Sequence, residues 1–405
     1  IENYLLIYRI LITLDHFLEF TSSFYGEIEK INNTCVSPYS VATALLLLML
    51  GTRGQSRSQI STAVFNNTTL SDIENMEKFK QLNAIILTSN TKGLELKVAN
   101  KLFVSNRFTL KPEVTRNAKK IFNSEIGYKD FSKSETSATF MNQWVAKITN
   151  NRIKKLILAS WLNSMTVMVL VNVVYFKGEW KTKFDPSNTK PQDFYINKST
   201  TIKVDMMHVK QSVMFFSDVD YSAIAIPYKG DTMDMVFMLP RQLHGLEALE
   251  KRLSPKLLND LASGFKPHTV QISIPKFVME TEVNLKTILP KLGVIDIFDI
   301  NVSNFSELVE EASRQIYVSQ AIHKVEEGSE ATAATSFVIS FRFAMPPAFK
   351  FTADHPFLFV IRDLINGTII FIGRYAVPNV NETGQFTFPL QHNMCSTPIN
   401  CQFSY

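Results

Sequence analysis

Residue types that commonly carry chemistry are present in the chain, but they do not stand at catalytic spacings. The seven histidines are scattered, and none is spaced with a carboxylate as a metal site requires. The chain has no Gly-x-Ser-x-Gly, His-Glu-x-x-His, Gly-x-x-x-x-Gly-Lys-Ser/Thr or Cys-x-x-Cys motif. We therefore predict no catalytic residue, no metal and no cofactor, and expect that the protein is not an enzyme.

One segment is unusual because of what it lacks. The run Glu326-Glu-Gly-Ser-Glu-Ala-Thr-Ala-Ala-Thr-Ser-Phe-Val-Ile-Ser-Phe-Arg-Phe-Ala-Met-Pro-Pro347 has no charge, Pro or Gly between Ala331 and Phe341. A permanently exposed loop is normally polar and rich in turn residues. This composition suits a segment that can become an interior strand, because Pro would remove a ladder hydrogen bond and small alternate side chains fit beneath helices. An ordinary edge strand is the alternative interpretation.

Composition favours one large globular domain with a sizeable core. The 405 residues are 45% hydrophobic and include 31 Phe, and no repeat or Pro/Gly-rich linker divides them. The formal charge is +5, and its strongest clusters are Lys119–Lys120 and Arg152, Lys154 and Lys155. We interpret these clusters as solvated helix faces, with a heparin-like polyanion site as the alternative. No nucleic-acid partner is predicted.

Several features bear on the cellular compartment. Cys35 lies in an apolar context and is predicted to be a buried free thiol, whereas Cys395 and Cys401 could pair in the terminal tail. Residues 1–16 are interpreted as the remnant of a signal peptide or as an extraneous leader. We expect a secreted, extracellular glycoprotein, because eight Asn-x-Ser/Thr sequons occur, at Asn32, Asn66, Asn67, Asn197, Asn301, Asn304, Asn366 and Asn381.

Helical patterns dominate the first third of the chain and strand patterns the rest, which predicts an α+β fold. The uncharged stretch from Leu156 to Phe176 is long enough to resemble a membrane helix, but its second half is rich in β-branched residues and predicts a buried strand. The predicted helices are Ser40–Leu50, Leu110–Phe122 and Ser137–Thr149, and the predicted strands are 166–176, 203–216, 222–228, 233–239, 269–280, 356–362 and 368–374.

Besides the segment 326–347, ten short motifs stand in order along the chain: Val36–Ser40, Leu50–Gly54, Ala99–Phe103, Met141–Val145, Leu170–Trp180, Pro275–Phe277, Leu292–Gly293, Val318–Lys324, His355–Phe359 and Phe371–Arg374. Together they resemble the serpin family. The resemblance implies a single domain over residues 17–379 with three β-sheets, eight to nine helices and an exposed reactive-centre loop at about 326–347. The tail 380–405 matches nothing in the family.

The resemblance also implies a mechanism, in which a monomer is cleaved by a serine protease and inserts its loop into the main sheet. Counting from the hinge glycine, Gly328, places the reactive bond between Arg342 and Phe343, which suits a trypsin-like protease; a bond after Phe343 would suit a chymotrypsin-like one. The hinge comprises Glu326, Glu327, Gly328, Ser329, Glu330, Ala331, Thr332, Ala333, Ala334 and Thr335.

Further roles carry over from the family. Ser37, Ser40, Asn172 and His323 match a polar cluster that governs opening of the main sheet. Lys276 and Glu326 match an ion pair where the loop enters the sheet, and Trp180 packs nearby. Taken without the family, these are ordinary structural residues: a helix cap, a core amide and a core indole.

The chain departs from the family ahead of the hinge. The family has about six residues between the His-Lys pair and the first hinge glutamate, where this chain has only Val325. Either the strand is truly short, or Glu326 to Ala331 are drawn back to rebuild it and shorten the mobile loop. An odd-numbered loss also reverses the faces of the side chains unless a bulge absorbs it. A non-inhibitory carrier, storage or chaperone role is therefore the alternative function, and an intracellular serpin is a third hypothesis.

Overall fold

The computed structural model describes residues 17–30, 32–66, 70–311, 316–330 and 348–378. Within this part of the chain, no helix is long and apolar enough to cross a bilayer. Its helices are α1 (17–27), α2 (Pro38–Met49), α3 (Gly54–Phe65), α4 (Asp72–Thr88), α5 (Pro112–Phe122), α6 (Ser134–Ile148), α7 (Leu246–Lys251), α8 (Pro255–Ser263) and α9 (Leu285–Ile288).

The strands are β1 (Thr34–Val36), β2 (Leu94–Ser105), β3 (Glu125–Lys129), β4 (Met168–Glu179), β5 (Lys190–Tyr195), β6 (Thr201–Ser217), β7 (Tyr221–Pro227), β8 (Met233–Pro240), β9 (Lys266–Pro275), β10 (Val278–Asn284), β11 (Gln320–Glu330), β12 (Phe349–Thr352), β13 (Phe357–Asp363) and β14 (Ile369–Tyr375). Strands β4 to β14 come after the helices of the first third, whereas β1, β2 and β3 lie among those helices.

These strands form a five-stranded sheet, in the order β10-β11-β4-β2-β3, and a nine-stranded sheet. The nine-stranded sheet has the order β1-β14-β13-β8-β7-β6-β9-β12, with β5 also paired to β6. Two of the three predicted sheets are thus joined into one, because the 17-residue β6 pairs with β5 and β9 along most of its length and with β7 at its end.

The helices begin where local chemistry favours a start. Pro38 opens α2 directly after the N-cap Ser37, whose hydroxyl accepts from the Ser40 amide. At α4, Ser71 and Glu74 form a capping box in which each side chain accepts from the other residue's backbone. All twelve residues of α2 are buried, so this helix is packed on all sides within the core.

One predicted strand is divided in the structure. The apolar run 269–280 forms the end of β9 and the start of β10, which belong to different sheets. The chain changes sheet at Lys276 and Phe277, where the Phe277 ring packs 4.9 Å from Tyr375 and 5.8 Å from Phe359 between ring centroids. A hydrophobic run alone does not reveal such a crossing, because both halves are apolar.

Candidate functional site

The centre of the five-stranded sheet is a pair of parallel strands, β11 and β4. They pair without interruption from Gln320 opposite Val169 to Glu330 opposite Glu179. We call the line between them the seam. Parallel neighbours without a strand between them can accept one further strand running antiparallel to both, which would then pair with each of them. The seam is therefore where a loop leaving the end of β11 could enter the sheet.

The first half of the predicted hinge is part of β11. Residues 326–330 pair with β4, and the span 326–328 also pairs with β10, where Gly328 lies opposite Val278. Gly328 is thus an extended residue inside the strand. Of the two outcomes that the sequence left open, the structure has the second, in which hinge residues rebuild the strand.

The residues missing ahead of the hinge affect which way the side chains of β11 face. No register shift interrupts the pairing with β4, so the side chains alternate strictly along the strand. Val325 and Glu327 face the interior, and both are fully buried. Burial, and then the charge of Glu327, raises the pKa of the Cys35 thiol, which is buried and free as predicted. A carboxylate therefore lies in the core below the sheet, as an odd-numbered loss without a bulge requires.

The outer face of β11 carries a set of ion pairs. Lys324 Nζ lies 2.7 Å from Glu280 and 3.2 Å from Glu282 on β10. Burial acts against the charge on Lys324, but these two carboxylates raise its pKa above the ordinary value. Glu326 pairs with Arg152 at 3.9 Å between Oε1 and Nε.

The predicted pair of Glu326 with Lys276 is not formed. Lys276 lies just after β9, where its backbone amide donates to Asp205 O at 2.9 Å. Because the first half of the hinge is part of β11, Glu326 lies inside the sheet opposite Tyr175, and β11 continues to Glu330. The sequence does not predict that Arg152 is the partner of Glu326, because this ion pair depends on where β11 ends.

The four residues of the predicted polar cluster come together behind the seam. Asn172 on β4 stands in register with His323 on β11 and with Asn100 on β2. Its Nδ2 donates to Ser40 O at 3.0 Å, to Ser40 Oγ at 2.6 Å and to Asn100 Oδ1. The Ser37 hydroxyl donates to Ile370 O at 2.6 Å. Asn100 belongs to this cluster although it was not predicted from the sequence.

His323 joins the two strands of the seam and helix α2. The Ser37 backbone N–H donates to His323 Nε2 at 3.0 Å, so this nitrogen must accept. The proton therefore lies on Nδ1, which donates to Asn172 Oδ1. Complete burial lowers the pKa of His323 to about 3. The ring is thus neutral at physiological pH and holds one tautomer.

Trp180 lies just beyond the end of β4, next to the point where the loop leaves β11. Its ring stacks on Tyr228 with centroids 4.6 Å apart and an angle of 8°. The indole is almost completely buried. Trp180 thus packs next to the end of β11, without the Lys276–Glu326 pair beside it.

Both reactive-bond residues, Arg342 and Phe343, and the second half of the hinge, Ala331 to Thr335, lie outside the described residues. On the far side of the loop, β12 begins at Phe349 and pairs in parallel with β9. The two attachment points of the loop, β11 and β12, therefore belong to different sheets.

Comparison with known proteins identifies this arrangement. A sequence model of the family described as "Serpin (serine protease inhibitor)" matches residues 16–378. The chain belongs to the serpin family. The predicted family and its α+β fold are confirmed, and members of the family act as protease inhibitors rather than as enzymes.

Individual serpins match over nearly the whole chain. Human neuroserpin is 33% identical over 373 residues, which cover 88% of each chain. Human leukocyte elastase inhibitor is 33% identical over 372 residues, covering 87% of this serpin and 95% of that one. The solved structure of native protease nexin-1 with heparin has a TM-score of 0.83 at 27% identity, covering 91% of this chain and 100% of the other.

Six of the eight predicted glycosylation sequons of this serpin lie in the described part of the chain. Asn32, Asn66, Asn197 and Asn301 are exposed, and Asn304 is half-buried. Asn366 is unlike these sequons, because its Nδ2, the atom that would carry a glycan, is buried. Asn67 and Asn381 lie outside the described residues, as do Cys395 and Cys401. In the described part of the chain, no group of three or more His, Cys, Asp or Glu residues is arranged to hold a metal ion.

Proposed function

We propose that this serpin traps a trypsin-like serine protease by cleavage after Arg342. The protease serine Oγ forms an ester with the Arg342 carbonyl, and the Phe343 nitrogen leaves with a proton. The segment ahead of the ester then enters the seam. The observation that carries the proposal is the closed seam of two parallel strands, with an uncharged, proline-free segment beginning directly after β11.

The length of the inserting segment suits the seam. We call residues 331–342 the arm; it has twelve residues between the end of β11 and the reactive bond. A two-residue turn, the commonest hairpin connection, leaves residues 333–342 for the new strand. With residue 333 opposite Glu330, Arg342 would come level with Leu170 near the start of β4. At about 3.3 Å per residue, the ester moves on the order of 30 Å along the sheet.

Arg342 supports the choice of a trypsin-like target. It is the only charged residue from Ala331 to Pro347. Proteases with Asp at the base of the specificity pocket prefer a basic residue at this position. A bond after Phe343 would instead select a chymotrypsin-like protease.

A non-inhibitory function is the second candidate, and the position of the hinge favours it. Residues 326–330 are already part of β11 and are not available to the arm. A shorter arm carries the protease a shorter distance, so hydrolysis of the ester competes better with distortion of the protease. In that case the protein would be cleaved after Arg342 and release active protease.

Incubation with trypsin followed by denaturing electrophoresis separates the two candidates. Trapping gives a stable band near the summed mass, whereas a non-inhibitory serpin gives only cleaved chain and full protease activity. Arg342→Ala should abolish the trypsin complex, and Phe343→Ala, the matched control beside it, should retain it. Loss of the complex in Phe343→Ala alone would show that the reactive bond is misassigned.

Secretion and a monomeric state belong to the same proposal. The exposed sequons support passage through the secretory pathway. A heparin-like polyanion stays the alternative interpretation of the basic clusters; Lys119 and Lys120 are exposed on α5, whereas Arg152 is paired with Glu326.

A further inference from the structure

The segment that follows α6 lies across the outer face of the five-stranded sheet. We call residues 150–152 the strap. Asn150 holds it to β2, because Lys97 Nζ donates to Asn150 Oδ1 at 2.8 Å and Asn150 Nδ2 lies 3.3 Å from both oxygens of Glu95. The strap therefore begins on the β2 side of β4, away from the seam.

The backbone of the strap has an uncommon conformation. Asn150 and Asn151 have φ values of 51° and 60°, so two successive non-glycine residues are left-handed. This conformation costs roughly 1–2 kcal/mol per residue, although Asn tolerates it better than most side chains. Backbone bonds hold it: the Asn151 amide donates to Ala146 O at 2.7 Å and the Arg152 amide to Thr149 O at 2.9 Å. The result is a fixed position for Arg152.

Arg152 reaches from the strap over β4 to β11. Its Nε lies 3.9 Å from Glu326 Oε1, and Glu326 stands in register with Tyr175 on β4. Tyr175 lies within the field of these charges: burial and Glu95 raise its pKa, while Arg152 opposes the rise. The side chain of Arg152 is about half exposed and that of Glu326 is 15% exposed. The strap is thus attached to β2 through Asn150 and to β11 through Arg152. Because β4 lies between these two strands, the strap crosses both β4 and the seam.

We propose that the Arg152–Glu326 pair is a latch that holds the seam closed. Opening the seam separates β11 from β4, and the strap moves with β2 and β4, so the pair must break. The latch exists because the hinge residues that rebuild β11 place Glu326 opposite Tyr175, four residues before the end of the strand. Its role in inhibition rests on the loop insertion proposed above, but its effect on the seam does not.

Hydrogen exchange of the intact, full-length protein tests the latch without any protease. Arg152→Gln and Glu326→Gln should each speed exchange of amides in 169–179 and 320–330 by about two- to fivefold, the range expected for a partly exposed ion pair. The double variant should be no faster than either single variant, since both remove the same interaction. Lys154→Gln, an exposed basic residue beside the strap, is the matched control and should leave these rates unchanged.

Salt provides a second measurement on the same samples. Raising NaCl to about 1 M, where the screening length falls to about 3 Å, should bring the wild-type rates toward those of Arg152→Gln. Equal seam exchange in the wild type and both single variants, or additive effects in the double variant, would overturn the latch. If the exchange rates change as expected but the protein does not trap trypsin, the proposed function is overturned and the latch is supported.

Discussion

His323 accepts a backbone hydrogen bond at Nε2 and donates from Nδ1, and only a neutral ring can do both. Its pKa is about 3 in the folded protein, against about 6.5 in an unfolded chain. Below pH 6.5 the unfolded chain therefore binds more protons, and the stability present above that pH is lost as the pH falls toward 3. At pH 5 the loss from this one residue is about 2 kcal/mol.

Urea unfolding at pH 7 and pH 5 checks this expectation. His323→Gln should be less stable than the wild type at pH 7, because it disturbs the bonds to Ser37 and Asn172. It should also lose about 2 kcal/mol less than the wild type between the two pH values. An equal loss in both proteins would show that His323 does not cause the acid sensitivity.

Glu327 provides a second prediction at the residue scale. A buried carboxylate is costly to desolvate, and an apolar side chain at the same position avoids that cost. Glu327→Val should therefore raise the free energy of unfolding, because Val325 already occupies the same face of β11. Glu327→Gln, which removes the charge but keeps a polar group, should give a smaller gain. A clear loss of stability in Glu327→Val would contradict this account.

The faces of the inserting arm depend on β11 as an element. Odd-numbered residues of β11, such as Val325 and Glu327, face the interior. A two-residue turn pairs residue 333 with Glu330 on the same face, since directly opposite residues of antiparallel strands share a face. On this alternation, we expect an inserted Ala334 to face the core and an inserted Ala333 to face outward.

Arginine substitutions in the arm test whether Ala334 or Ala333 faces the core after insertion. Ala334→Arg should abolish the trypsin complex and turn the protein into a substrate, because an arginine would have to enter the core unpaired. Ala333→Arg should retain most of the complex, since its side chain meets the polar outer face. The ratio of complexed to cleaved chain on denaturing gels measures both. The opposite result would indicate a three-residue turn at the loop exit.

At the scale of the whole molecule, insertion should make the cleaved protein more heat-resistant. Before insertion β11 pairs directly with β4. Ten inserted residues would pair with both strands instead, a net gain of about ten hydrogen bonds. At about 0.5–1.5 kcal/mol net for each bond, the gain is about 5–15 kcal/mol. For a domain of this size, that corresponds to a rise in Tm of about 7–20 °C. Calorimetry of intact and trypsin-cleaved protein measures the rise, and equal Tm values would mean that the arm stays outside the sheet.

Much of this protein could be predicted from local sequence. The β-branched run after Thr166 predicts the central strand β4, and the apolar periodicity predicts α2, α5 and α6 close to their observed bounds. Family motifs bring Ser37, Ser40, Asn172 and His323 to one cluster, where the structure has them. Strand β2 is missing from the sequence-based prediction, although Leu94, Leu96 and Val98 alternate with Glu95 and Lys97 in the pattern of a half-buried strand.

The sequence by itself determined the fold class, the core elements and the absence of charge from Ala331 to Phe341, because these depend on side-chain chemistry within a few residues. Only the tertiary structure decided where β11 ends, that Glu327 lies in the core, and that Arg152 rather than Lys276 meets Glu326. The physical reason is that strand pairing is non-local. β11 extends along β4 as far as Glu330 because the backbone groups on that side of the buried strand β4 need hydrogen-bonding partners, and the composition of the hinge does not contain that information.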